Sequence, residues 1–281
     1  MTFRLANVDS RAALVDGDGG YHDLEALADG AVGPDPMAAI AAHADLHDLQ
    51  ARTGDATATG RIADVVLGPP VPSPTQVFAI GLNYADHVAE SGMETPAAPV
   101  VFTKFPTCIA GPSADLPIVG EFIDYEAEAV VVIGTGGTDI DRADAWSHVA
   151  GVTGGQDVSD RALQFAAKPP HFALGKSRRA YGPIGPVLVS VDSFADPDDI
   201  AVGCAVNGEQ RQRSSTRHLI FDVPHLVEYL SSVLELLPGD VIFTGTPDGV
   251  GMASGALLRP GDTVETHIGG VGTLTNRCVA G

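Results

Sequence analysis

The chain has 281 residues, 44% of them hydrophobic and 19% charged, which supplies a sizeable core and excludes a disordered polymer. Its 36 acidic residues against 16 basic ones give a formal charge of -20, which repels nucleic acid and anionic membrane surfaces. Cys108, Cys204 and Cys278 lie far apart and form no CxxC, so neither a disulfide framework nor a thiolate zinc site is suggested.

In chain order, the opening "MTFRLANVDSRAALVDGDGG" has no apolar signal core. No later stretch approaches the ~18 unbroken apolar residues of a membrane span. A cytoplasmic protein is expected, with no nucleic-acid or membrane partner. Residues 1–70 read as a small N-terminal α/β domain. "FRLANV" and "RAALVD" flank a turn, "GDGGYHDL" is hairpin chemistry, and "DPMAAIAAHADLHDLQAR" has an amphipathic helical pattern. His43 and His47 stand at i, i+4 on that helix; with no HExxH glutamate between them, an exposed polar face is expected. "LGPPVPSPTQ" is a linker whose prolines stop any helix.

Residues 71–281 then form the main domain. "VFAIGL", "VVFTKF", "AEAVVVIG", "GPVLVSV", "AVGCAVNG", "DVIFTGTP" and "DTVETHIGGVGTLTNRCV" read as strands. "RADAWSHVAG" and "DVPHLVEYLSSVLEL" read as helices, the second with Val223, Leu226, Val227, Leu230, Val233 and Leu234 on one stripe. Strands outnumber helices and do not alternate with them, so the expected class is α+β and β-rich rather than doubly wound.

Within "DYEAEAVVVIG", Glu126 and Glu128 are two apart on a strand, so they share a face roughly 7 Å apart at Cα. Two carboxylates beside a buried apolar run repel each other and resist desolvation. Asp157, in "GGQDVSDRALQ", offers a third acid. Three converging carboxylates make an oxygen-only site suited to Mg²⁺ or Mn²⁺; the alternative is a sheet edge where the acids meet solvent or arginine. In "GLNYADHVAESG", Asn83 or Asp86 can cap a short helix on which His87 and Glu90 face the same side. A carboxylate beside an imidazole raises its basicity, as a general base for water requires; a surface pair is the plainer reading. Gly81 and Gly92 bracket the segment, as suits a lid. Lys176 in "LGKS" is one of only three lysines, and with Arg161 it can bind an anion or pair with the acids. The loop in "VIFTGTPDGVG" is no P-loop, but its amides and Thr246 can hold a small carboxylate.

Taken in order, "IGLNYADHVAESG", "FTKFP", "DYEAEAVVVIG", "QDVSDR", "LGKS", "GPIGP", "VNGEQRQ", "PGDVIFTGTPDGVG" and "GDTVETHIGGVGTLTN" resemble the fumarylacetoacetate hydrolase family from Val77 to Asn276. The likeness is to its acylpyruvate hydrolase and 2-hydroxyhepta-2,4-diene-1,7-dioate isomerase branch. The resemblance implies a β-rich catalytic domain, a mixed sandwich or roll with few helices. It also implies a homodimer and a Mg²⁺ or Mn²⁺ held by Glu126, Glu128 and Asp157. It further implies that His87 and Glu90 activate water from a mobile lid, and that Arg161, Gln164, Lys176 and Thr246 bind the substrate carboxylate. Ala162 stands where the family pattern has an aspartate, and an acid appears instead at Asp160, which leaves open the group that orients Arg161.

The expected reaction is hydrolysis of a C–C bond in a 2,4-dioxo acid. Lys176 and Arg161 neutralise the substrate's charge, His87 deprotonates the attacking water, and pyruvate leaves as an enolate that a divalent metal stabilises. Decarboxylation of oxaloacetate and isomerisation of a 2-hydroxy-dienoate need the same enolate, and a catalytically inert metal-binding relic is the non-enzyme alternative. The segment from Ser91 to Pro99 and the insert "QFAAKPPHFAL" are expected to set substrate length.

Overall fold

The computed structural model describes residues 2–92 and 94–281. Its centre is the strand Ala127–Ile133, buried at all seven positions. Because successive side chains point to opposite faces, this strand feeds two cores. Ala127, Ala129, Val131 and Ile133 join one cluster; Val130 and Val132 join the other. Antiparallel partners flank it, Val149–Gln156 on one side and Val241–Phe243 on the other. The sheet continues through Val77–Gly81 to Val100–Thr103 at one end. At the other it runs through Gly182–Val189 to Arg4–Val8, Arg11–Val15, Gly20–Asp23 and Gly60–Arg61. A second sheet, of five strands, has the order Glu209–Ser215, Ala201–Val206, Thr263–Ile268, Gly272–Ala280, Leu116–Ile118. Val202, Cys204, Val206, Val264 and Ile268 share the first cluster with Ala127 and Val131, so this sheet covers one face of the central strand. The architecture is α+β and β-rich, as expected. One sheet crosses residue 70, since Arg4–Val8 pairs with Gly182–Val189.

Several elements differ from the sequence reading. "RADAWSHVAG" is not a helix. Ala145–His148 is a single 3₁₀ turn, and Val149 already begins the strand Val149–Gln156. That strand hides behind three glycines. Gly154 and Gly155 are needed for close packing and not for a bend. A Cβ on Gly154 would lie 2.7 Å from Leu274 Cδ1, and one on Gly155 would lie 2.6 Å from Val130 Cγ2. The helix Val223–Ser231 stops short of the expected stripe. Val223, Leu226, Val227 and Leu230 are buried, but Val233 lies beyond its end and is exposed. The N-terminal helical stretch splits into Pro36–Ala41 and His43–Arg52. The break at Ala42 lets His43 lean on Gly134, where any Cβ would lie 2.5 Å from the imidazole. His43 and His47 are therefore half-buried and not an exposed face; His47 packs edge-on against Phe3, with ring centroids 5.2 Å apart.

Candidate active site

Glu126 and Glu128 sit at the mouth of the central strand, and Asp157 follows its neighbour Val149–Gln156. The backbone joins them, since Asp157 N–H donates to the Glu126 carbonyl at 2.9 Å. All three carboxylates are buried, and one oxygen from each lies within 4.8 Å of the others. The electrostatic problem posed by "DYEAEA" is answered in part by cations that arrive from elsewhere in the chain. Lys176 Nζ donates to Glu126 Oε2 at 2.5 Å and to Asp157 Oδ2 at 2.8 Å. Arg161 Nη2 donates to Glu126 Oε1 at 2.6 Å. Lys104 Nζ donates to Asp157 Oδ1 at 2.5 Å and to the carbonyls of Lys176 and Tyr181.

Donor counting separates these cations. An ammonium has three N–H groups and a guanidinium five. Lys104 spends all three within the protein, so it is a strut. Lys176 spends two and keeps one. Arg161 also gives Nε and Nη2 to Asp124 Oδ2, at 2.9 and 2.7 Å, and Nη1 to Gln164 Oε1 at 3.0 Å. With the Glu126 bond, four of its five donors are committed. Asp124 is thus the acid that orients Arg161 where Ala162 provides none. Asp124 is itself fixed by the backbone amides of Tyr125, Gly251 and Met252. Asp160 does something different, capping the turn at Leu163 N and pairing with Arg178.

Glu128 is the residue left over. It accepts Gly245 N–H at 2.6 Å, and among the described residues it has no ion-pair partner. Burial first, then the charges of Asp157 and Glu126, raise its pKa well above the usual carboxylate range. Burial also pushes Glu126 upward, but the Lys176 and Arg161 charges outweigh it and bring the group down to about 2. Burial would lower Lys176, yet the Asp157 and Glu126 charges outweigh it and raise its pKa. Four acids (Asp124, Glu126, Glu128, Asp157) share three cations, and Glu128 is the one with no cation of its own among the described residues. The donors are all hard oxygens in one small cluster with more carboxyl groups than cations, so they fit a divalent cation of the Mg²⁺ or Mn²⁺ type.

The site opens into a cleft of about 410 Å³, lined by Glu126, Arg161, Gln164, Lys176 and Thr246 together with His87 and Glu90. His87 and Glu90 ride on the helix Ala85–Ser91, with Nδ1 3.4 Å from Glu90 Oε2. Glu90 also accepts Gly249 N–H, at 3.1 and 3.2 Å, which seats the helix on the loop after Val241–Phe243. Neither Asn83 nor Asp86 caps this helix: Tyr84 is the cap residue, without a side-chain bond. Asn83 instead ties the helix entrance to Phe221 and to the Thr244 carbonyl. Thr246 lines the cleft, but its hydroxyl donates inward to the Ala127 carbonyl at 2.9 Å. Lys104 and Asp124 are the two residues for which sequence reasoning found no role. The signal for Lys104 was available: it is one of three lysines in an acidic chain and lies inside a strand-like apolar run.

These features define a buried carboxylate cluster of a kind suited to a divalent cation, at the end of a β-rich core and beside a helix that carries an imidazole–carboxylate pair. The profile described as fumarylacetoacetate (FAA) hydrolase C-terminal matches residues 76–279, and the chain belongs to that family. The mitochondrial oxaloacetate tautomerase FAHD2A of Bos taurus is 39% identical over 221 residues, covering 77% of this chain and 70% of that protein. A Mycobacterium smegmatis structure with the provisional name HpcE is 46% identical, covers 99% of both chains and gives a TM-score of 0.91. The maleylpyruvate hydrolase of Sphingobium sp. SYK-6, solved with manganese(II) and pyruvate, is 27% identical over 99% of both chains, with a TM-score of 0.82. Among the described residues, no helix is long and apolar enough to cross a membrane.

Proposed function

We propose that this chain is a divalent-metal-dependent hydrolase that cleaves the C–C bond of an acylpyruvate and releases pyruvate. The observation that carries the reading is that Glu126, which clusters with Glu128 and Asp157, lines the same cleft as the His87–Glu90 pair. The three carboxylates would hold the cation, which when bound supplies Lewis-acid polarisation of the substrate's 2-oxo group. The uncommitted N–H groups of Lys176 and Arg161 receive the substrate carboxylate. Gln164 fixes the guanidinium and Thr246 shapes the wall. Glu90 accepts Nδ1–H of His87, which leaves Nε2 as a base. A water gives its proton to Nε2 and attacks C4. The C3–C4 bond then breaks, its electron pair passing to pyruvate as the enolate, and a proton at C3 completes the product. A cytoplasmic homodimer is part of the same proposal; light scattering of the purified chain tests its oligomeric half.

The second reading is tautomerisation of oxaloacetate, favoured by the name of the Bos taurus relative. It needs proton transfer at C3 and no attacking water. The test measures pyruvate release from acetylpyruvate and the decay of the oxaloacetate enol, each with Mg²⁺ and with EDTA. His87→Ala should slow acylpyruvate hydrolysis by about 10²–10⁴-fold while leaving the metal-induced rise in melting temperature intact. Full hydrolytic activity of that variant would remove His87 from the mechanism. Oxaloacetate turnover without cleavage of any acylpyruvate would put the tautomerase ahead, and no turnover of either would leave an inert metal-binding relic.

A further inference from the structure

The cleft has two chemically different ends. One is lined by His87, Glu90, Glu126, Arg161 and Lys176, with Glu128 and Asp157 clustered beside Glu126. The other is walled by Phe102, Phe165, Pro170, Phe172, Val250 and Met252. Its rings form a continuous edge-to-face chain. Phe102 and Phe172 have centroids 5.4 Å apart at 75°, and Phe172 and Phe165 have centroids 6.4 Å apart at 69°. Lys176 Nζ stands 5.4 Å from the Phe102 centroid, so the aromatic wall begins where the charged end stops. The cations that line the cleft are Arg161 and Lys176, both already committed to Asp124, Glu126 and Asp157. Lys168 and His171 lie on the same segment as Phe165 and Phe172, but they are exposed and do not line the cleft. Phe165 and Met252, both on this wall, are 45% and 54% exposed, so the apolar end of the cleft stands open to solvent.

From this division we infer that the enzyme selects 2-oxo acids whose far end is uncharged and apolar, an aromatic or branched acyl group, over substrates that carry a second carboxylate. The inference rests on the proposed reaction for the charged end and adds the identity of the tail. A ring placed among these phenylalanines leaves water and gains edge contacts. A carboxylate in the same place loses its hydration and, among the described residues, finds no cation on that wall.

Three ligands with one headgroup decide the matter: pyruvate, 2-oxo-4-phenylbutanoate and 2-oxoglutarate. Their affinities are measured by calorimetry on the full chain with Mg²⁺ present. The phenyl ligand should bind at least about tenfold more tightly than pyruvate, and 2-oxoglutarate no more tightly than pyruvate. Phe172→Ala should shrink the phenyl-to-pyruvate ratio. Phe165→Arg, at an exposed position where folding is not at stake, should shift preference toward 2-oxoglutarate. If pyruvate binds but the phenyl ligand gains nothing, or 2-oxoglutarate is the tightest, the tail assignment is overturned and the reading of the charged end stands. If pyruvate itself does not bind in the presence of Mg²⁺, the reading of the charged end fails and the tail assignment falls with it.

Discussion

Two sets of ion pairs in this chain use the same chemistry under opposite conditions. In the N-terminal meander, Arg11 meets Asp23 at 2.6 Å and Glu25 at 2.8 Å, with Arg11 and Glu25 more than two-fifths exposed. At the cleft, Arg161 meets Asp124 at 2.7 Å and Glu126 at 2.6 Å, with all three side chains buried. Exposed pairs gain little in high dielectric, and their loss is answered by water. Buried charges have given up hydration worth several kcal/mol each, and only their mutual contacts offset it. An acidic chain with three lysines that buries two of them in one cluster is not arranging them for stability. The cluster holds a set of oxygens and N–H groups in fixed positions, and its cost is the measure of that fixation.

The largest effect should come from breaking the buried set from one side. Asp124→Asn leaves the Arg161 guanidinium without one of its two counter-charges, and Lys104→Met leaves Asp157 and two carbonyls without a strut. Each should cost about 3–5 kcal/mol, read from urea unfolding. Losses no larger than those of surface variants would erase the distinction drawn above. Next comes the cation. Mg²⁺ or Mn²⁺ at a hundredfold excess over its Kd should stabilise the chain by about 2.7 kcal/mol. Glu128→Gln should abolish that response without lowering stability in EDTA, because an amide oxygen can still accept the Gly245 N–H and brings no charge beside Glu126 and Asp157. A metal-indifferent wild type would count against the site. The smallest effect belongs to the meander. The hydrogen bond from Arg11 lowers the Asp23 pKa. A carboxylate depressed in the folded state adds stability above its unfolded pKa of about 3.9, and loses it as pH falls through the folded value. Asp23→Asn should therefore lower the melting temperature slightly at pH 7, and the difference should shrink as pH falls below the unfolded value.

The motifs made the cleft legible before the structure did, because each is a short local run whose residues keep their roles wherever the fold carries them. "AEAVVVI" announced a buried strand, and the His87–Glu90 spacing announced a shared helix face. Long-range pairings were hidden. Lys104 reaches carbonyls more than seventy residues away, and nothing around "FTKFP" names them. Asp124 reads as a mere strand entrance until Ser159–Asp160 pairs with Ile123–Asp124 and brings Arg161 beside it. The strand Val149–Gln156 was missed for a related reason. Its glycines follow from Leu274 and Val130 pressing on it, and a propensity reading sees only their poor strand preference.

The double duty of Glu90 has a consequence for timing. The same carboxylate that orients His87 accepts the Gly249 amide, and the Gly249 backbone has φ +92° with no room for a side chain. The contact that seats the helix on the loop therefore also fixes the carboxylate that faces the imidazole. On the proposed mechanism, a helix lifted from the loop would keep the His87–Glu90 pair but lose its anchor beside the cleft, so water activation would belong to the seated state alone.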